Sequence, residues 1–293
     1  MHTHARRAEA NFRTGRNIRH IGRCGNIAPV NSSATSPRFQ TILLVGIAAG
    51  FLSGMFGVGG GILIVPGLVL VAKMDQRVAH GTSLAAVLPI SASSLVSYWA
   101  HDHVDWRVGA CLAVGALAGA VLGTKLLHVL PHRTLAIAFS GILVVTAIKL
   151  FLPFTSLPVR EVLTVGSIAA LVAIGVATGI LAGLLGVGGG IVMVPAMMML
   201  LQMPSALAKG TSVAVIIPTS IMGTYRNRKS LNVDFRAAAV LGLGGIFSAI
   251  AGGWISARMS DTVSNVLFAT LLLVVAVRLI LQIRADDKAG VVH

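Results

Sequence analysis

The residues in this sequence best suited to chemistry are glycines. Gly57-Val58-Gly59-Gly60-Gly61 and Gly186-Val187-Gly188-Gly189-Gly190 each interrupt an apolar stretch, and Pro66 and Pro195 follow them. Consecutive glycines disfavour a helix by about 1 kcal/mol each. The two runs, with the prolines as structural breaks, are therefore expected to unwind the chain. Unwound backbone inside a membrane survives only where protein buries it or water lines it. Its free N–H groups, with the N-terminus of the following helix, suit an anion. A tight turn between packed helices is the plainer account of the same glycines. A nucleotide-binding loop is a poor match, because no strand precedes the glycines and no Lys-Ser or Lys-Thr follows them.

A second pair of motifs lies downstream, Gly81-Thr82-Ser83 and Gly210-Thr211-Ser212, preceded by His80 and Lys209. Each is read as the start of an apolar helix. Hydroxyls and free N–H groups at such a start would cradle an anion, with a cation-capable residue beside them. Ordinary N-capping by Thr or Ser is the competing account. Pro89 and Pro218 fall within the same two helices.

Other chemistry is argued against by absence. The nine acidic residues are Glu9, Asp75, Asp102, Asp105, Glu161, Asp234, Asp261, Asp286 and Asp287. All fall in tails, loops or helix ends, so no mid-membrane carboxylate relay of the kind that carries protons or cations is visible. Lys125, Lys149, Arg258 and Arg278 lie in or near apolar segments, which leaves the interior leaning positive. Snorkelling to the headgroups explains each of them singly. Asp105 and Asp234 read as N-caps of long helices. No nucleophile–base pair or paired carboxylate suggests an enzyme, and no catalytic residue or cofactor is expected. No metal site is expected either. His101-Asp102-His103 lacks further ligands, and Cys24 and Cys111 make neither a disulfide framework nor a metal cluster.

The elements that must position these residues are membrane helices. Of 293 residues, 55% are hydrophobic and 11% charged, and the mean hydropathy is +0.87. A soluble domain carries about 25% charged residues, so most of this surface must face lipid, and a span needs roughly 20 apolar residues. The fold class is an all-α integral membrane protein. Apolar segments run near 41–56, 60–72, 81–99, 106–128 and 133–152, and again near 162–185, 188–201, 210–225, 236–256 and 262–283. Those at 60–72 and 188–201 are too short to cross alone and read as re-entrant or half-helices. The expected domains are a basic tail (1–38), a first transmembrane repeat (41–152), a linker (153–161), a second repeat (162–283) and a C-terminal tail (284–293).

The two sets are copies. Gly50 to Pro66 matches Gly179 to Pro195, 129 residues apart. The same offset pairs both Gly-Thr-Ser motifs, Pro89 with Pro218, Asp105 with Asp234 and Lys149 with Arg278. Small residues at spacing four are duplicated too. Gly46, Gly50 and Gly54 match Gly175, Gly179 and Gly183. Gly115, Gly119 and Gly123 match Gly244, Ser248 and Gly252. Such stripes read as close helix packing in lipid. Internal repeats with broken helices at matching positions mark secondary transporters, with the site where the halves meet.

Charge frames the topology. Formal net charge is +14, and the tail holds Arg6, Arg7, Arg13, Arg16, Arg19, Arg23 and Arg38 against Glu9 alone. A nucleic-acid arm is one reading. A cytoplasmic tail that meets anionic lipid is preferred, so lipid is an expected partner and nucleic acid is not. Loop 226–236, with Arg226, Arg228, Lys229 and Arg236, also belongs inside. If each glycine break sits within one long span, the repeats are parallel. If it is a hairpin turn, they are inverted. Lys73, Arg77 and Arg133 favour the inverted scheme.

These motifs resemble the TauE/SafE, or sulfite exporter, family of membrane transporters. The resemblance rests on the duplicated glycine–proline signature and the Gly-Thr-Ser that follows, and covers about residues 41 to 283. It implies a multi-pass transporter of the bacterial inner membrane that exports a small inorganic or organic anion such as sulfite, sulfoacetate or another organosulfonate. An anion channel and a membrane-embedded assembly factor are the alternatives. The Arg-rich tail is outside the family pattern, and no motif encodes an oligomeric state.

Overall fold

The computed structural model describes residues 35–126, 132–151, 165–185, 189–229 and 232–288. Most of the basic tail, the 153–161 linker, Gly186 and Gly188 lie outside them. The chain divides into Met1–Ser36 and Pro37–His293, and the fold described here is that of the second unit.

The described residues form ten helices and no strand. They are α1 (Thr35–Phe56), α2 (Gly61–Leu70), α3 (Gln76–Trp99), α4 (Trp106–Leu126) and α5 (His132–Phe151), then α6 (Val165–Leu185), α7 (Gly190–Leu200), α8 (Ser205–Lys229), α9 (Phe235–Arg258) and α10 (Asp261–Lys288). Five of them, α1, α3, α8, α9 and α10, hold windows long and apolar enough to cross a membrane. The chain is a multi-pass membrane protein. The short helices α2 and α7, of 10 and 11 residues, rise only about 15 Å at 1.5 Å per residue.

Pro66 and Pro195 do not break the chain as expected. Each lies inside its short helix, which continues to Leu70 or Leu200. Proline removes one hydrogen bond, but its φ is helical. The interruption comes from the glycines before it. Beyond each short helix the turn passes through a left-handed residue, Lys73 (φ 52°) or Gln202 (φ 54°), at equivalent positions.

Helix α2 turns back beside α1. A side chain at Gly67 would meet Val45, and one at Gly60 would meet the carbonyl of Ala49. The α1–α2 unit is a hairpin, so each repeat crosses the membrane an odd number of times. Contacts between α3 and α8 give the same result. Gly81, early in α3, abuts Asn227 and Asn232 at the end of α8, and Gly210, early in α8, abuts Tyr98 and His103 at the end of α3. The two helices run antiparallel, and the repeats are inverted.

The small-residue stripes pack between repeats. A Cβ at Gly46, Gly50 or Gly54 of α1 would strike the backbone of Leu241, Gly245 or Ala249 in α9. Gly175 and Gly179 of α6 meet Leu112 and Ala116 of α4 in the same way. Without a hydrophobic force between helices in lipid, close backbone approach is what holds such pairs. Helices α1 and α3 therefore pack with α9 from the other repeat, with α2 against α1 and α3, and α6 and α8 pack with α4, with α7 against α6 and α8. The sequence halves are interleaved and cannot slide past one another as two bodies.

Gly50→Ala would press a methyl group into backbone atoms of α9 that cannot yield. Overpacking of about 1–3 kcal/mol exceeds the ~1 kcal/mol helix-propensity gain, so the melting temperature in detergent should fall. Gly141→Ala in α5, where nothing lies within 4 Å, should leave it unchanged or raise it.

Candidate functional site

The first glycine break owes its shape to backbone angles that other residues avoid. Gly57, Gly59 and Gly60 have φ of 68°, 79° and 72°, in the left-handed region that costs an L-residue about 1–2 kcal/mol. Gly60 caps α2, and its carbonyl accepts from the N–H groups of Leu63 (3.1 Å) and Ile64 (3.2 Å). The N–H of Gly57 donates back to Ser53 at 2.8 Å. Among the described residues, no acceptor meets the N–H groups of Val58, Gly59, Gly60, Gly61 or Ile62. All five residues are buried. Buried N–H groups without an acceptor are rare in folded proteins, and five in a row at this helix N-terminus find none among the described residues.

The second break repeats the first where it is described. Gly189 caps α7 with φ of 75°, and its carbonyl accepts from Val192 (3.2 Å) and Met193 (3.1 Å). The two breaks touch. A Cβ on Gly190 would lie 2.9 Å from the Val58 Cα and 3.0 Å from the Gly57 carbonyl oxygen. One on Gly59 would lie 3.2 Å from Ile216 and 3.3 Å from Val87. Val87 and Ile216 are repeat equivalents near the midpoints of α3 and α8, so the breaks sit at mid-depth. The N-terminal ends of two short helices converge there, each bringing a partial positive charge.

The Gly-Thr-Ser motifs differ from expectation. Helix α3 begins at Gln76, where the Asp75 side chain accepts from the Arg77 N–H at 2.9 Å, and α8 begins at Ser205. Gly81-Thr82-Ser83 and Gly210-Thr211-Ser212 therefore lie in the second turn, where backbone N–H groups are used within the helix. They are not helix starts. The threonines join the repeats instead. The Thr211 hydroxyl accepts from the Asp105 N–H, and that of Thr82 from the Asp234 N–H, both at 2.9 Å. Asp105 and Asp234 do cap α4 and α9, each accepting from the N–H groups two and three residues on. Gly81 and Gly210 let the carbonyls of Asn232 and His103 approach the same turns.

Comparison with known proteins agrees with this architecture. A family model described as sulfite exporter TauE/SafE matches residues 12–160 and 171–292, one segment for each repeat. The chain belongs to the TauE/SafE family. It is 27% identical over 267 residues to the probable membrane transporter protein YunE of Bacillus subtilis, covering 83% of this chain and 98% of that protein. It is 29% identical over 252 residues to YjnA of the same organism, likewise named a probable membrane transporter, with 82% and 99% covered. An archaeal relative from Methanocaldococcus jannaschii, MJ0441, has the same description and is 29% identical over 190 residues, 62% of this chain and 69% of its own. No solved structure matches.

In this TauE/SafE transporter the serine of each motif behaves unlike its threonine. The Ser83 and Ser212 hydroxyls are fully buried and meet no hydrogen-bond partner among the described residues. The same holds for Ser91 and Ser220, two helical turns on. Sequence reasoning passed over Ser91 and Ser220, although the 129-residue offset pairs them too. The four serines flank Val87 and Ile216, the side chains that touch Gly59. No three His, Cys, Asp or Glu side chains among the described residues are grouped to hold a metal.

The threonines are structural by this geometry. Thr82→Val and Thr211→Val each strand a backbone N–H at a helix cap, which costs about 1–3 kcal/mol. The two variants should melt lower by similar amounts in detergent, and the double variant should lose the sum, because the pairs lie at opposite ends of α3 and α8.

Proposed function

We propose that this transporter exports a small sulfur-containing oxyanion, such as sulfite, sulfoacetate or another organosulfonate, and holds it at the two glycine breaks. The observation that carries this reading is the run of five buried N–H groups at the N-terminus of α2 that meet no acceptor among the described residues, facing an equivalent helix N-terminus at mid-depth. Backbone N–H groups and converging helix dipoles stabilise an oxyanion and repel a cation. The donors assigned to the site are the backbone N–H groups of Gly59, Gly60 and Gly61, those of Gly189 and Gly190 in the second break, with Gly186 and Gly188 added by their place in the repeated motif alone, and the hydroxyls of Ser83 and Ser212; the Gly57 N–H is already taken by Ser53, so Gly57 serves the turn. Described acidic residues lie only at helix ends and turns, as at Asp75, Asp105, Asp234 and Asp261. The sulfur chemistry of the cargo follows the family description.

Because the repeats interleave, alternating access in this proposal moves α1–α3 with α9 against α6–α8 with α4. The α3–α8 contact is the hinge surface, and the breaks lie on it. Lys73, Arg77, Arg226, Arg228 and Arg236 lie at the membrane face where α3 begins and α8 ends, against Arg107 and Arg258 at the other. The positive-inside rule makes the first face cytoplasmic. The N-terminus of α1 is on that face, and the membrane is the bacterial inner membrane. All three tryptophans, Trp99, Trp106 and Trp254, are exposed at the outer face, as an interfacial belt requires.

Ser83→Ala and Ser212→Ala distinguish donors from packing. A hydroxyl without a protein partner contributes nothing to folding, so each variant should melt at or above the wild-type temperature. A hydrogen bond to a charged group is worth about 1.5–3 kcal/mol, so sulfite or sulfoacetate efflux from proteoliposomes should fall about tenfold or more for each. Unchanged flux in both would remove the serines from the site. Efflux that fails to saturate with anion concentration would make the protein a channel.

A further inference from the structure

We infer that Lys209 is the counter-charge of this anion site, an inference that rests on the proposed function and adds its one charged group. Lys209 is fully buried, in the second turn of α8 within a membrane span. Its Nζ donates to the Ser264 hydroxyl of α10. The ammonium lies 5.7 Å from the ring centroid of Phe56 and 5.9 Å from that of Phe268, and the two rings stack at 5.5 Å. Asp261 lies one turn before Ser264 in α10. Among the described residues, no carboxylate oxygen lies within ion-pairing distance.

An ammonium taken out of water costs several kcal/mol unless a charge or a full set of acceptors compensates it. A single hydroxyl and two ring faces compensate only in part. Charged residues inside spans mark functional sites by default. The position is adjacent to the break. A Cβ on Gly57 would lie 2.8 Å from the Lys209 Cα and Cβ, and Phe56, whose ring faces the ammonium, is the residue immediately before Gly57. A lysine stem with three rotatable donors can swing from a hydroxyl to a neighbouring oxyanion.

The repeat comparison isolates this group. The glycines, the threonines and the serines at 83, 91, 212 and 220 occur twice at one offset. The ammonium set does not. The positions equivalent to Lys209, Phe56 and Ser264 are His80, Leu185 and Leu135. The frame is two-fold, but its lysine is single. An anion paired with Lys209 is held off the axis, toward α8 and α10, by one positive charge.

The test is anion-induced thermal stabilisation of the purified full chain in detergent, titrated with sulfoacetate, sulfite and ethanesulfonate at constant ionic strength. Lys209→Met removes the charge without burying a new polar group, and Lys209→Gln keeps polarity. Both should weaken the apparent affinity at least tenfold, whereas Ser264→Ala, which frees the ammonium, should leave affinity unchanged or tighter. Wild-type affinity in both Lys209 variants would overturn the assignment. So would equal weakening by Ser264→Ala, the signature of a pair that merely joins α8 to α10. A wild-type protein that no anion stabilises or crosses would overturn the anion reading itself, whereas anion binding that ignores Lys209 overturns only this inference.

Discussion

Backbone in hydrocarbon has no water to bond with, and that constraint organises this molecule. Helices satisfy their own N–H and C=O groups, so most of the chain is helical. The exception is the pair of glycine breaks. At the first of them the chain turns within the membrane, and successive N–H groups meet no partner among the described residues. Such backbone must be enclosed by protein. Here the two breaks enclose each other, with α3 and α8 against them. The most costly stretch of backbone and the anion site proposed above are the same five residues.

Enclosing the breaks requires helices to approach closely on both sides, and the small-residue stripes provide this. Glycines of α1 and α6 lie directly on the backbones of α9 and α4. Because each partner comes from the other repeat, the duplication yields two mixed four-helix groups. The Thr82–Asp234 and Thr211–Asp105 bonds tie the same exchange at the two membrane faces. Any motion that exposes the breaks alternately to either side must keep these pairs together and act at the α3–α8 contact.

Within this symmetric frame, the polar groups fall into two kinds. The threonines are committed to backbone, while the adjacent serines are buried with no partner among the described residues. One residue separates a structural hydroxyl from a candidate binding one. Lys209 adds a feature that symmetry does not supply.

Much of this was legible in the residues. Composition required a membrane protein, the 129-residue offset required a duplication, and the glycine runs at positions 57–61 and 186–190 marked where helices would fail, because glycine is the residue for left-handed backbone. The stripes at Gly46–Gly54 and Gly175–Gly179 announced close packing, but not with which helices. Two local expectations failed because they depended on where a helix begins. The Gly-Thr-Ser motifs lie a turn inside their helices because Asp75 caps α3 and α8 starts at Ser205, and Pro66 and Pro195 ride within α2 and α7 because proline fits a helix that glycine has already restarted. Sequence by itself determined the periodic and compositional features: spans, repeat, breaks and family. Only tertiary structure decided that the breaks meet, that the repeats are inverted and interleaved, that the threonines bond across them and the serines do not, and that Lys209 is buried against a stacked pair of phenylalanines. Those facts depend on contacts between residues far apart in the chain, such as 55 positions for Lys209 and Ser264 and 152 for Thr82 and Asp234, which no local pattern of glycine, proline or charge encodes.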